Sequence, residues 1–156
     1  MTEQEKLMYE ILGQITTSDI PIVFKGGLIT KLILNESGLS SVQRTTKDID
    51  ANWIGQPPSM DYLVDSLNNS FGDLQRCYKA VASRQYGEKQ SAGISVIDKN
   101  TGRKFITMDI DIKPLIDSKT YYYEQTKIRG VLPNEILADK ICVLSGEAIY
   151  KNRAKD

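Results

Sequence analysis

Histidine is absent from the 156 residues. That removes a Ser-His-Asp triad, a histidine general base and histidine-ligated zinc from the available chemistry. Cysteine is scarce: Cys77 and Cys142 stand far apart, with no Cys-x-x-Cys spacing. They are expected to be reduced, packed thiols of a cytosolic protein. Charge of one sign is not in excess, since 20 lysines and arginines face 20 aspartates and glutamates. No global field therefore draws the chain to nucleic acid or to a membrane, and an anionic substrate must be met by a local cluster. Apolar runs fall far short of the ~20 residues that a membrane span needs. The opening "MTEQEK" is acidic and polar, unlike a secretion signal, so neither a signal peptide nor a membrane partner is expected.

What remains is a palette of carboxylates, lysines, arginines and hydroxyls, which suits hard cations such as Mg2+. With 40% hydrophobic residues the chain can bury a core, and its length fits one domain. Leu7, Met8, Ile11, Leu12 and Ile15 recur at helical spacing, which predicts an amphipathic helix over 3–15. "PIVF" (21–24) reads as a short buried strand, "KGG" (25–27) as a tight turn, and 28–37 as a helix closed by Gly38. "DIDANWI" (48–54) is a strand, and Ser59 caps a helix to about Phe71 through Leu63 and Leu67. "LQRCYKAV" reads equally as helix or strand. "SAGISVID" (91–98), "KNTG" and "RKFITMDIDIK" (103–113) form the clearest hairpin. "TYYYEQTKI" (120–128) is expected as one further strand, and a helix is expected from Pro133 to near Gly146.

Two separate strands each carry an Asp-Ile-Asp tripeptide. Residues i and i+2 of a strand share a face, so Asp48 and Asp50 point one way while Ile49, Ala51 and Trp53 point the other. In the later strand Thr107, Asp109 and Asp111 oppose Ile106, Met108, Ile110 and Ile112. Like charges ~4 Å apart repel by about 1 kcal/mol in water and about 4 near a protein surface. Either these faces are solvated, or a cation sits among Asp48, Asp50 and Asp109; Mg2+ would complete its shell with phosphate oxygens.

Gly26 and Gly27 fall between a predicted strand and a predicted helix, where backbone N–H groups can approach an anion. An ordinary strand-to-helix turn uses the same residues, and no Walker A pattern is present. Phosphate held at "KGG" beside a carboxylate-bound metal would make a phosphoryl or nucleotidyl transfer site. Lys140 falls on or beside the apolar stripe of the helix predicted from Pro133. It either snorkels to solvent or aims inward at negative charge. Glu135 and Asp139, at i and i+4, read as a solvated pair.

"FKGGLITKLIL" followed by "RTTKDID" resembles the first two motifs of the nucleotidyltransferase superfamily. The Arg44-x-Thr46-x-Asp48-Ile49-Asp50 form is most similar to the AbiEii/AbiGii toxin branch. "ITMDIDI" resembles that branch's third-carboxylate strand, with Asp109 at the matching position and Asp111 an extra acid. "NEILADKICVL" is similar to its Glu/Lys helix, and "NRAKD" to the start of its Arg-x-x-Asp segment, giving Arg153 and Asp156.

The resemblance covers about 22–156 and implies an α/β (α+β) minimal nucleotidyltransferase fold: a mixed β-sheet flanked by helices, in a single domain over 1–156. Family members usually continue into a helical C-terminal region, so the chain is expected to be either a minimal form or a fragment. The resemblance implies Mg2+ or Mn2+ as cofactor and an NTP as substrate. Asp48, Asp50 and Asp109 would hold the metal, with Asp109 also serving to deprotonate an acceptor hydroxyl. Lys25, Gly26, Gly27, Arg44 and Asp156 would contact nucleotide, and Lys140 would steady phosphate charge. The acceptor would be RNA (tRNA included) or protein, and a cognate antitoxin a partner, in a bacterial toxin–antitoxin or abortive-infection setting. The alternative is a non-catalytic module that binds nucleotide or antitoxin through an incomplete site.

Overall fold

A computed structural model describes residues 2–38, 47–86 and 90–136. The first helix, α1 (Glu3–Thr17), is capped by Thr2, whose side chain accepts from the Glu5 amide. Its Met8, Ile11, Leu12 and Ile15 are buried, as the spacing requires. Strand β1 (Ile22–Lys25) runs through Gly26 into α2 (Gly27–Glu36). Gly38, at φ +75°, follows the Ser37 cap in the left-handed conformation that ends helices. Strand β2 spans Asp48–Ile54, and α3 (Met60–Ser70) opens on Ser59, whose hydroxyl accepts from the Tyr62 amide. A cap of this kind is worth ~1 kcal/mol. The ambiguous segment resolves into a short 3-10 helix (Gly72–Arg76) and strand β3 (Tyr78–Arg84). Strands β4 (Ser91–Asp98) and β5 (Lys104–Lys113) form the expected hairpin.

Segment 120–128 departs from expectation. It belongs to two strands, β6 (Ser118–Tyr123) and β7 (Thr126–Val131), paired antiparallel across a two-residue turn. Such a turn needs φ above zero and is usually marked by Gly, Asn or Asp. Here Glu124 adopts φ +55°, so the usual sequence signal is missing. Cys77 is a free thiol, as expected, but it is exposed rather than packed. Cys142 lies outside the described residues, as does most of the predicted last helix, of which 133–136 is helical.

The seven strands form one mixed sheet in the order β3-β4-β5-β2-β1-β7-β6. Pairs β2/β5 and β1/β7 are parallel, and the rest are antiparallel. Helices α1, α2 and α3 lie on one face. Tyr62 of α3 meets Trp53 edge-on. In register with that face, Gly130 of β7 lies under Ile29 of α2, and Thr126 lies against Gly13 of α1. The core sits here, with Phe24, Ile49, Ala51, Met108 and Ile110 fully buried against the helices. The alternation of β2 and β5 then places every acid of the two Asp-Ile-Asp tripeptides on the face away from the helices.

One charged pair lies within the helical layer. Lys31 of α2 is 8% exposed and Glu5 of α1 is 4% exposed, and the Lys31 ammonium donates to the Glu5 carboxylate. Tyr9, also in α1, donates its hydroxyl to the Leu28 carbonyl at 2.9 Å and so ties α1 to the first turn of α2. Among the described residues, no helix is long and apolar enough to cross a membrane.

Candidate active site

Parallel pairing of β2 with β5 is the step that assembles the site. Asp50 stands directly opposite Asp109, Asp48 opposite Thr107, and Asn52 opposite Asp111. Lys25, the last residue of β1, flanks Asp50 on its other side. Four carboxylates thus occupy adjacent positions on one face of two central strands. The sequence expectation that Asp48, Asp50 and Asp109 share a face agrees with this register, and Asp111 belongs to the same row.

Each acid has its own surroundings. Asp48 is exposed and accepts a hydrogen bond from the Thr107 hydroxyl. Asp50 is half-buried, and burial raises its pKa above the ordinary carboxylate value. The Asp109 charge pushes in the same direction, Lys25 pulls the other way, and Asp48 and Asp111 raise it further. No hydrogen bond or ion pair ties the Asp50 carboxylate among the described residues. Asp109 pairs with Arg84 (Nη2 to Oδ1, 3.2 Å), and Asp111 pairs with Lys25 (Nζ to Oδ2, 2.7 Å). Burial raises the Asp111 pKa. The Lys25 hydrogen bond and charge, with a hydrogen bond from Ser91 and the Lys113 charge, outweigh it, so the net shift is downward.

Gly26 supports Asp50 from below. Its backbone lies at φ +80°, ψ −159°, a region that essentially only glycine occupies. A Cβ there would stand 2.4 Å from Asp50 Oδ2. The glycine is thus required twice, by its own dihedrals and by the carboxylate resting against it. Gly27 is exposed as the first residue of α2, where helix N–H groups are unpaired.

The sequence reading missed two features: Arg84, and the burial of Asn52. Arg84 reaches from edge strand β3 across β4 to Asp109, and also donates to the Ser91 hydroxyl at 3.1 Å. It can cross because β4 has Gly93 beneath it; a Cβ there would come within 3.1 Å of Arg84 Cβ and 3.3 Å of its Nε. The second is Asn52, which is 1% exposed and whose Oδ1 has no hydrogen-bond partner among the described residues. Its place two residues after Asp50 was legible, but its burial was not.

Arg44, Lys140, Asp139, Arg153 and Asp156 lie outside the described residues. Glu135 is exposed in the turn 133–136.

The donor set is all oxygen, on neighbouring strands, with one carboxylate whose charge is disfavoured by burial and by the acids around it. That chemistry fits a hard divalent cation. Among the described residues, no three acidic or cysteine side chains already stand as a ready metal-holding group. Two of the four acids are instead engaged by Lys25 and Arg84.

A mixed sheet with helices on one face is also the architecture that comparison with solved structures returns. Among solved structures the chain is similar to MenT4, the nucleotidyltransferase toxin Rv2826c from Mycobacterium tuberculosis H37Rv. The TM-score is 0.50 at 17% identity, covering 88% of this chain and 51% of that one, so this chain spans about half the length of its structural relative. No curated protein matches the sequence. The family model described as "Nucleotidyl transferase AbiEii toxin, Type IV TA system" matches residues 10–156. The chain belongs to the AbiEii family.

Proposed function

We propose that the protein transfers a nucleotide from an NTP to an acceptor hydroxyl as the toxin of a bacterial toxin–antitoxin pair. The observation that carries the reading is the register Asp50 opposite Asp109, with Gly26 packed under Asp50 at the mouth of α2. Asp48, Asp50 and Asp109 would hold Mg2+ or Mn2+. The ion would offset the negative charge of the triphosphate and of the transition state.

The residues of the chain do the rest. Gly27 leaves room for the triphosphate at the first turn of α2, and Gly26 contacts it by family likeness. Lys25, and Arg44, Lys140 and Asp156 by family likeness, contact the nucleotide. The acceptor oxygen bonds to the α-phosphorus, the α–β bridging P–O bond breaks, and pyrophosphate leaves. Asp109 takes the hydroxyl proton. RNA, tRNA included, or a protein hydroxyl serves as acceptor in the cytoplasm, and a cognate antitoxin restrains the enzyme.

The test is label transfer. The purified protein is incubated with each α-labelled NTP in turn, Mg2+ or Mn2+, and either total RNA or total protein. Transfer that Asp48→Ala and Asp50→Ala abolish supports the proposal. Nucleotide binding by calorimetry with no pyrophosphate released, whatever the NTP or acceptor, replaces the enzyme with a binding module.

A further inference from the structure

In antiparallel strands, opposite charges directly across from one another ordinarily pair. Lys25 and Asp50 are such partners, yet the Lys25 ammonium is not on Asp50. It passes over β2 and bonds to Asp111 in β5, at 2.7 Å. The strand partner of Asp111 in β2 is Asn52. Asn52 is neutral, and its buried Oδ1 has no hydrogen-bond partner among the described residues. Asp111 is the acid that the metal reading leaves unused. An ordinary exposed ion pair would be worth ~0–1 kcal/mol and would need no further account. This one has a second consequence, because it decides which carboxylate the lysine neutralises.

We propose that Asp111 is a positioning residue that draws the Lys25 ammonium across β2 and off Asp50, keeping the Asp50 carboxylate open to a divalent cation. The inference rests on the metal reading of Asp48, Asp50 and Asp109. Without the Asp111 charge, the nearest carboxylate to Lys25 is its own strand partner. A cation on that carboxylate competes with the metal. Asp111 thereby acts on the metal site through Lys25 and without ligating.

Mn2+ titration of the full chain, followed by the loss of the free-ion paramagnetic resonance signal, tests this without reference to activity. Asp111→Asn is expected to weaken Mn2+ binding by about tenfold or more, the usual scale for loss of an outer partner of a metal site. Lys25→Met in the Asp111→Asn background is expected to return affinity to the wild-type range, because no ammonium remains to move onto Asp50. Asp111→Glu is expected to hold the wild-type value. Asp111→Ser, titrated in parallel with melting curves for every variant, gives the same reading if Asp111→Asn does not fold. Wild-type affinity in Asp111→Asn would reduce the contact to a surface ion pair and overturn the proposal. Weak binding that Lys25→Met does not rescue would make Asp111 a ligand, which also overturns it. A wild type that binds no Mn2+ would instead remove the metal reading itself, and that outcome appears in the first titration.

Discussion

The Asp50 carboxylate rests on Gly26: its Oδ2 occupies the space a Cβ at Gly26 would fill, 2.4 Å from that position. The strand that carries the acid and the turn that opens α2 are therefore fitted to each other at one atom. Gly26→Ala strains the backbone by about 1–3 kcal/mol through its positive φ. It also forces Asp50 aside, and displacement of a positioned group by ~1 Å can cost ~100-fold in rate. The expected outcome is a lower denaturant midpoint together with a loss of nucleotide transfer larger than that of Gly27→Ala. Equal effects at the two glycines would refute the fit.

Asp50 is charged at a cost to the fold. Burial and the neighbouring acids, Asp109 first, raise its pKa, so the folded chain holds that proton more tightly than the unfolded chain. Stability from this group is therefore greatest at low pH and falls as pH rises past the ordinary carboxylate value. Asp50→Asn removes the charge. In chelator-treated protein at pH 7 it should melt above wild type, while transferring nothing. Added Mn2+ should raise the melting temperature of wild type and leave the variant unmoved.

Lys31 has Glu5 as its buried partner. Glu5→Leu leaves the ammonium in a low-dielectric layer between α1 and α2. Breaking a buried pair from one side costs about 3–5 kcal/mol. Lys31→Met combined with Glu5→Leu should recover much of that loss, because neither charge then needs solvation. Urea unfolding of the two variants measures the difference.

Tyr121 is fully buried, and its hydroxyl donates to the Val131 carbonyl at 2.6 Å. Burial, and then the Glu36 charge, push its pKa from 10.0 up to about 12. Because the folded value is the higher one, its contribution is fully present below pH 10 and is lost between pH 10 and about 12. Tyr121→Phe should cost ~1 kcal/mol at neutral pH through the missing hydrogen bond. It should also flatten the decline in melting temperature across that alkaline window. An unchanged alkaline slope would assign the decline to other groups, such as Tyr9, which burial shifts in the same direction.

Much of the fold was legible because local chemistry marks it. The spacing of Met8, Ile11 and Ile15, the Ser59 cap, and the strict alternation of β2 and β5 each state their element without help from distant residues. The β6–β7 hairpin was missed because Glu124 adopts a conformation usually left to glycine or asparagine. Arg84 was missed because β3 is ambiguous in sequence, and because its reach depends on Gly93 in a different strand.

The sequence by itself determined that Asp48 and Asp50 share one face of a strand, that Asp109 and Asp111 share one face of another, and that a glycine turn precedes α2. A strand's two-residue period is a property of the local backbone, so these facts hold in any fold that contains the strands. Only the tertiary structure decided that Asp50 stands beside Asp109, that both rows face away from the helices, and that Lys25 pairs with Asp111. Those facts come from the parallel joining of β2 and β5. Which strands become neighbours depends on burying Ile49, Ala51, Met108 and Ile110 together under the helices, a long-range energy that no short stretch of chain records.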